Sequence, residues 1–208
     1  MRRIPIGLAV ALLAASGARA AAEAPSGIGD ADAKPSVALL LGGTLGGGSH
    51  YAAGSMSFGI GATLVLRDRL LLLGATADTE LYLRGYGTSH LGALVGAARS
   101  LVPWVRLEAL AEIGTHRIVG VGTDILETKP VSPNSVRLPY AGVRLGLLSA
   151  FPALPPHFVT GFWLSYREDL TRKRMDVVVE RLSGLQETRT YTVGGRDFGL
   201  ICRAGFEF

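Results

Sequence analysis

The chain has 208 residues, which suits one domain, and with 28 Gly and only 18% charged residues it is too apolar for disorder and unusually apolar for an ordinary soluble domain. Its mean hydropathy is +0.32 and its formal net charge is +4. The single cysteine, Cys202, excludes an internal disulfide and a cysteine-based zinc cluster.

The first twenty residues have the pattern of a secretory signal peptide. Met1-Arg2-Arg3 is a short positive start, Ile4 to Ala15 is apolar, and Ala18-Arg19-Ala20 is a small-x-small cleavage signal. The apolar stretch is shorter than the roughly 20 residues that a spanning helix needs. Cleavage near Ala20 removes three arginines and leaves 18 positive against 17 negative residues, so the support for nucleic-acid binding disappears. Residues 21–35 are small, polar and interrupted by prolines, which predicts a flexible mature N-terminus.

From residue 36 onward, apolar and polar side chains alternate with a period of two, which indicates strands with two unlike faces. In Ser55 to Val65, for example, Met56 and Phe58 point one way, whereas Ser57 and Gly59 point the other. A tilted membrane strand needs roughly 9–11 residues, and we expect each predicted strand to be long enough. The eight predicted strands are Val37 to Leu45, Ser55 to Val65, Leu71 to Arg84, Leu91 to Leu101, Val105 to Thr115, Tyr140 to Leu147, Phe158 to Asp169 and Asp197 to Phe208.

The connections between these strands alternate in kind. With the N-terminus in the periplasm, the inner turns fall near Asp68, Pro103 and Phe151 to Pro156, and the outer loops fall near residues 46–53, 85–89, 119–134 and 171–189. An even strand number with longer outer loops is typical of bacterial outer-membrane barrels. In the last outer loop, two β-prone segments flank Ser183-Gly184, which predicts that the last two strands continue above the membrane as a protruding hairpin with a free edge.

The polarity of the two faces separates a membrane barrel from a soluble barrel whose apolar face lines a ligand cavity. Arg or Lys on the lipid face costs about 2–4 kcal/mol at the midplane, and the predicted apolar faces carry no Asp or Glu in the central part of a strand. Arg99, Arg117 and Arg137 share the apolar parity but lie near strand ends, where long side chains can snorkel. We therefore predict that the apolar faces meet lipid and that the charged side chains neutralise one another in the lumen. The predicted lumen charge network is Asp78, Glu80, Arg84, Arg106, Glu108, Glu112, His116, Arg144, Arg167, Asp169, Asp197 and Arg203.

Eight alternating strands, the signal peptide and the terminal Gly205-Phe206-Glu207-Phe208 resemble the small eight-stranded outer-membrane barrels of the OmpA and OmpX type. The resemblance covers residues 36–208 and is one of architecture. It implies an all-β, closed, antiparallel up-and-down transmembrane barrel in the bacterial outer membrane, with Phe206 and Phe208 as a signal for the barrel assembly machinery. The aromatic content of 7% is low for such a barrel. We expect an inner girdle of Trp104, Phe151, Phe158, Phe206 and Phe208 and an outer girdle of Tyr82, Tyr166 and Tyr191.

No motif in the sequence predicts a catalytic residue, a cofactor or a metal ligand. Residues 42–49 lack the lysine of a phosphate-binding loop, because Gly48 stands before Ser49. Small outer-membrane barrels include lipid A hydrolases, but the adjacent Ser89 and His90 point to opposite faces and cannot readily pair as nucleophile and base. Arg172-Lys173-Arg174 lies above the outer interface, where it forms either a contact for lipopolysaccharide phosphates or a solvated rim.

These patterns predict a non-enzymatic integral protein that braces the outer membrane and presents its outer loops and last hairpin to a surface protein partner. The two alternatives are a lipid-A-modifying hydrolase and a narrow pore.

Overall fold

The computed structural model describes residues 35–51, 54–150 and 157–208. The predicted signal peptide, the N-terminal extension up to residue 34, and the Phe151 to Pro156 turn lie outside these residues. Among the described residues, no helix has the length and apolarity that a membrane-spanning helix requires.

Eight long strands form a closed barrel in which every neighbouring pair is antiparallel. The predicted closed eight-stranded barrel is therefore confirmed. The barrel strands are β1 (Ser36–Ser49), β2 (Ser55–Asp68), β3 (Leu71–Tyr82), β4 (Gly87–Val102), β5 (Val105–Val119), β7 (Ser135–Ser149), β8 (Phe158–Asp169) and β11 (Arg196–Glu207). Three further strands, β6 (Thr128–Pro130), β9 (Lys173–Arg181) and β10 (Gln186–Val193), form a separate sheet in the order β10-β9-β6.

The strands are strongly tilted against the barrel axis. Following paired residues once around the barrel from Ala38 leads back to β1 at Gly48, a displacement of ten residues along the strand. A stagger of this kind is what allows a twisted sheet to close, and it accompanies strand tilts of roughly 35–45°. We call the end where β1 begins and β11 ends the base, and the opposite end the mouth.

The outer surface of the barrel is apolar and the interior is closely packed. Large hydrophobic side chains stay exposed around the barrel; we call this surface the apolar belt, and it includes Leu41, Ile60, Leu91, Ile113, Leu145, Leu164 and Phe198. The alternating inward residues are buried or half-buried instead. The predicted polarity of the two faces is therefore correct.

The alternation alone had suggested a lumen that is polar along its whole length, but the structure shows apolar regions at both ends. Near the base, an apolar cluster fills it, and Leu40, Leu72, Leu110, Trp163 and Ile201 are among its buried members. A second apolar cluster lies at the mouth, where Val177 and Val179 of β9 and Val193 of β10 pack against Tyr86, Ile118 and Leu138. The separate sheet therefore lies against the mouth, and we call it the cap sheet.

The cap sheet leaves the barrel at a two-glycine hinge, Gly194-Gly195. Gly194 has a φ of 130°, which favours glycine, and a Cβ on Gly195 would overlap the carbonyl oxygen of Ser49. The predicted β9–β10 hairpin is present, with Gly184 (φ 80°) in its turn. It does not continue the last two barrel strands as a protrusion, because it belongs to the separate sheet that packs over the mouth. The short strand β6, which the sequence pattern did not reveal, pairs with β9 and widens the hairpin into a three-stranded sheet.

Candidate functional site at the mouth of the lumen

Six buried ionic side chains form the middle of the lumen, and we call them the central charge network: Asp78, Glu80, Glu112, Arg144, Arg167 and Arg203. Asp78 accepts from all three guanidinium groups. Glu112 accepts from Arg144 Nε at 2.7 Å, and Glu80 accepts from Arg167 Nη1 at 3.2 Å and from the Ser57 hydroxyl. Three carboxylates thus face three guanidiniums, and the network is neutral when all six are ionised.

A second ionic group lies near the base. Glu108 accepts hydrogen bonds from Arg67 Nη2 at 3.0 Å and from the indole nitrogen of Trp163 at 3.1 Å. Glu207 pairs with Arg67 and with Arg106. Arg67 lies next to the turn predicted near Asp68 and was not among the predicted lumen residues. Because β2 extends to Asp68, Arg67 keeps the inward parity and is buried.

Two of the predicted positions that prove wrong lie near the end of β3. Arg84 does not join the lumen network, because β3 ends at Tyr82 and the half-exposed Arg84 pairs with Asp124 of an outer loop at 3.2 Å. Tyr82 does not belong to an outer girdle, because it points into the lumen and is fully buried.

The other predicted girdle residues are spread over three places. Tyr191 lies in the cap sheet and packs against the apolar cluster at the mouth, so it is not part of a girdle. Tyr166 packs against Phe198, with ring centroids 4.8 Å apart. Trp104, Phe206 and Phe208 are exposed, and the Phe158 and Phe206 rings contact each other. Phe151 lies outside the described residues.

Three histidines and two aspartates meet at the mouth, directly beneath the cap sheet. Together with Tyr82 they form what we call the mouth cluster: His50, His90, His116, Asp169, Asp197 and Tyr82. The rings of His90 and His116 are stacked with centroids 4.2 Å apart, and the ring of His50 meets that of His116 edge-on at 4.6 Å.

His50 connects the loop after β1 to the hinge of the cap sheet. Its Nδ1 lies 3.4 Å from Asp169 Oδ2 and its Nε2 lies 2.7 Å from Asp197 Oδ1, so both ring nitrogens face carboxylates. Burial disfavours the charged imidazolium, but the hydrogen bonds and charges of the two aspartates outweigh it and raise the pKa of His50 to about 9. Its carbonyl oxygen accepts from Gly194, and Asp169 Oδ2 accepts from the backbone of Gly195.

Part of the mouth cluster could have been found in the sequence. The predicted turn near Pro103 places His90 opposite His116 in a hairpin, and these two residues are indeed partners across β4 and β5. His50 carried no such signal, because it lies in a loop after a run of glycines. Its place in the lumen depends on the hinge contact with Gly194.

A group of cations lies on one side of the mouth, on the outer surface. Arg172, Lys173 and Arg174 are exposed, and Lys173 Nζ donates to the carbonyl oxygen of Arg137 at 3.1 Å. Arg137 is the cross-strand partner of Arg117, and both side chains are exposed. Arg117 and Arg137 therefore extend the predicted basic segment Arg172-Lys173-Arg174 along the outer surface of the barrel.

Ser89 and His90 do not form a nucleophile and base. Ser89 is exposed on the outer surface, with its hydroxyl 3.4 Å from that of Thr79, whereas His90 is buried in the lumen. Cys202 is a free cysteine with the outward parity of β11.

The chain is therefore a closed eight-stranded β-barrel of the outer-membrane type. Neisserial surface protein A has a similar structure, with a TM-score of 0.59 at 12% identity over 84% of this chain and 97% of that one. A major outer membrane protein from Thermus thermophilus gives a TM-score of 0.52 at 15% identity over 85% of this chain and 100% of that one. At these identities the likeness establishes the fold alone. No family model matches the sequence. No curated protein matches it either.

Proposed function

We propose that this chain is a non-enzymatic integral protein of the bacterial outer membrane, with a sealed lumen and with a cap sheet that binds a surface partner. The apolar belt is the observation that carries the membrane location. Ile60 is 75% exposed and Leu164 is 67% exposed at mid-strand positions, whereas Trp163 and Ser165, the inward neighbours of Leu164, are buried. In water such a continuous apolar surface would drive aggregation, whereas in lipid it is the favourable arrangement.

The orientation follows from the two ends of the barrel. The base has short turns at residues 68–71 and 102–105, whereas the mouth carries the cap sheet and long loops. Longer loops lie on the extracellular side of outer-membrane barrels. We therefore place the base in the periplasm and the cap sheet outside the cell.

The packing of the lumen supports a bracing role over a pore. From base to mouth the interior holds an apolar cluster, the central charge network, the mouth cluster and the apolar cluster under the cap sheet. An eight-stranded barrel has an interior just wide enough for side chains to fill. A conducting path would have to displace buried ion pairs, which is costly.

Lipopolysaccharide is the lipid partner that the rim cations fit. Arg117, Arg137 and Lys173 lie side by side where the barrel surface meets the outer loops. Guanidinium groups bind phosphates in a bidentate manner, and an ammonium group adds a point charge. Each of these side chains has an apolar stem that can lie along acyl chains.

A protein partner is supported by the cap sheet. Within the described residues β10 pairs with β9 only, so β10 is an edge of the sheet and offers backbone groups to an added strand. At its tip Leu126, Leu182 and Leu185 are exposed to water, and Leu182 is 80% exposed. The partner that fits is an extended protein segment with apolar side chains.

The membrane location is tested by fractionation together with electrophoresis of the detergent-extracted protein with and without boiling. We expect outer-membrane partitioning and a mobility shift on heating. Recovery in the soluble periplasm would refute the location. Steady ion conductance in a planar bilayer would support the pore instead, and an altered acyl pattern of lipid A on expression would support the hydrolase.

The protein partner is tested by placing a photo-crosslinking residue at position 182 in living cells, with position 164 on the apolar belt as the matched control. We expect a protein adduct at 182 that is absent at 164. The same adducts at both positions, or none at either, would contradict the proposal for the cap sheet while leaving the membrane location intact.

A further inference from the structure

Three nitrogen atoms of the mouth cluster are buried without a hydrogen-bond partner among the described residues. They are both ring nitrogens of His90 and Nε2 of His116. His90 Nε2 lies 3.4 Å from Asp197 Oδ2, but the two atoms are not aligned for a hydrogen bond. His90 is only 2% exposed, so bulk water does not satisfy these nitrogens, and a buried polar atom left unpaired is destabilising.

Three residues of the mouth cluster bring possible ligand atoms close together, and a turn of the His90 ring out of its stack on His116 would let both rings face one ion. One atom each of His90, His116 and Asp197 lies within 4.8 Å of the others, and all three residues are buried. The contacts of Asp197 with Tyr82 and His50 involve Oδ1, which accepts from the Tyr82 hydroxyl at 2.6 Å and lies 2.7 Å from His50 Nε2. Its Oδ2 therefore remains available on the side of His90.

The surroundings of His116 have the arrangement that metal-binding histidines usually show. His116 Nδ1 lies 2.8 Å from Asp169 Oδ1. When Nδ1–H donates to this carboxylate, Nε2 carries no hydrogen and its lone pair is free to bind a metal ion. A carboxylate that holds the second ring nitrogen fixes the tautomer and the orientation of a metal-binding imidazole. Asp169 is itself held by the backbone of Gly195 at 2.9 Å.

Two imidazoles and one carboxylate, together with water, suit a divalent transition metal. We propose that His90, His116 and Asp197 form a site for one divalent transition-metal ion of the zinc class, with Asp169, Tyr82 and His50 as its supporting shell. The nearby Arg167 does not oppose a cation strongly, because it belongs to the central charge network, which is neutral as a whole.

The site lies where four parts of the chain meet, so an ion there fixes the cap sheet to the barrel. His90 and His116 come from β4 and β5, and Asp197 comes from β11 just after the hinge. The supporting Asp169 is the last residue of β8, just before the chain enters the cap-sheet hairpin. Because the cap sheet covers the cluster, the ion enters during folding.

The experiment refolds the mature chain into detergent with Zn²⁺ or Co²⁺ present, removes unbound ion, and measures bound metal. We expect one ion per barrel, a four-coordinate visible spectrum with Co²⁺, and a higher melting temperature than after refolding with chelator. His90→Ala and Asp197→Asn should lose the ion, and Asp169→Asn should bind it roughly 10–100-fold more weakly.

His157→Ala is the matched control, because His157 lies at the base, where its ring stacks on Phe208. This variant should keep the full metal content. Failure of wild-type protein to retain an ion, or equal retention in His90→Ala and His157→Ala, would overturn the proposal. If a variant does not show the heat-dependent mobility shift of a folded barrel, the Co²⁺ spectrum of the wild-type protein tests the proposal instead. An octahedral Co²⁺ spectrum would also overturn the proposed metal site.

Discussion

Asp78 is the residue whose replacement tests the arrangement of the lumen most directly. Its carboxylate is fully buried and accepts from Arg144, Arg167 and Arg203, with Arg144 Nη2 at 3.3 Å. Asp78→Asn keeps the shape of the side chain but removes one negative charge. The central charge network then holds three guanidiniums against two carboxylates, a net charge of +1 away from water.

Removing one partner of a buried ion pair costs about 3–5 kcal/mol, because the remaining charge is left desolvated. We expect Asp78→Asn to lower the free energy of unfolding by this amount. The assay is urea unfolding of the barrel in lipid vesicles, followed by tryptophan fluorescence and by the mobility of unboiled protein. Asp68→Asn, at the exposed last position of β2, is the control and should change stability by less than about 0.5 kcal/mol.

Charge balance itself is tested by adding Arg203→Met to Asp78→Asn, because the double variant restores neutrality. We expect the double variant to lose less stability than the sum of the losses in the two single variants, because residues of one charge network are energetically coupled. A single variant as stable as wild type, or strictly additive losses, would refute the view that the network is held by mutual neutralisation.

Three further predictions concern other parts of the molecule. Ile60→Arg should lower stability in vesicles by about 2–4 kcal/mol, because it places a charge on the apolar belt, whereas Leu182→Arg at the cap tip should have little effect. Gly195→Ala should increase proteolysis of residues 170–195 without abolishing the heat-dependent mobility shift, because the added Cβ would overlap Ser49. Gly43→Ala is the control, because the nearest atom to a Cβ there lies at 3.6 Å. Equal proteolysis of the two variants would contradict the role of Gly195 as a hinge residue. Lys173→Gln should weaken binding to vesicles that contain lipopolysaccharide, and the difference should fade in high salt because ions screen exposed charges; a salt-independent difference would count against a phosphate contact.

The barrel strands could be predicted because their alternation is a local property with one consistent cause. Each strand must present apolar side chains to one side and compact or ionic side chains to the other, and that pattern is visible in residues such as Met56, Phe58 and Ile60 without any knowledge of neighbours. The strand ends were less well defined, because pairing continues through residues such as Arg67, which the sequence places beside a turn.

The cap sheet shows the limit of such local reasoning. The hairpin was predicted from its β-prone segments and Ser183-Gly184, but the strand β6 has three residues and no periodicity of its own. Its pairing with β9 follows from the fold of the outer loop, where Asp124 receives hydrogen bonds from the backbone of Thr128 and Glu127. Tyr191 likewise looked like a membrane-interface residue, although the bend at Gly194 turns its strand over the mouth.

The sequence by itself determined the number of barrel strands, the face of each strand that meets lipid and most of the charged side chains that enter the lumen, because a period of two is independent of which strand lies next. Only the tertiary structure decided which charges meet. Barrel closure pairs β1 with β11 and displaces the register by ten residues, and so brings His50, Asp169 and Asp197 to the level of the His90–His116 pair.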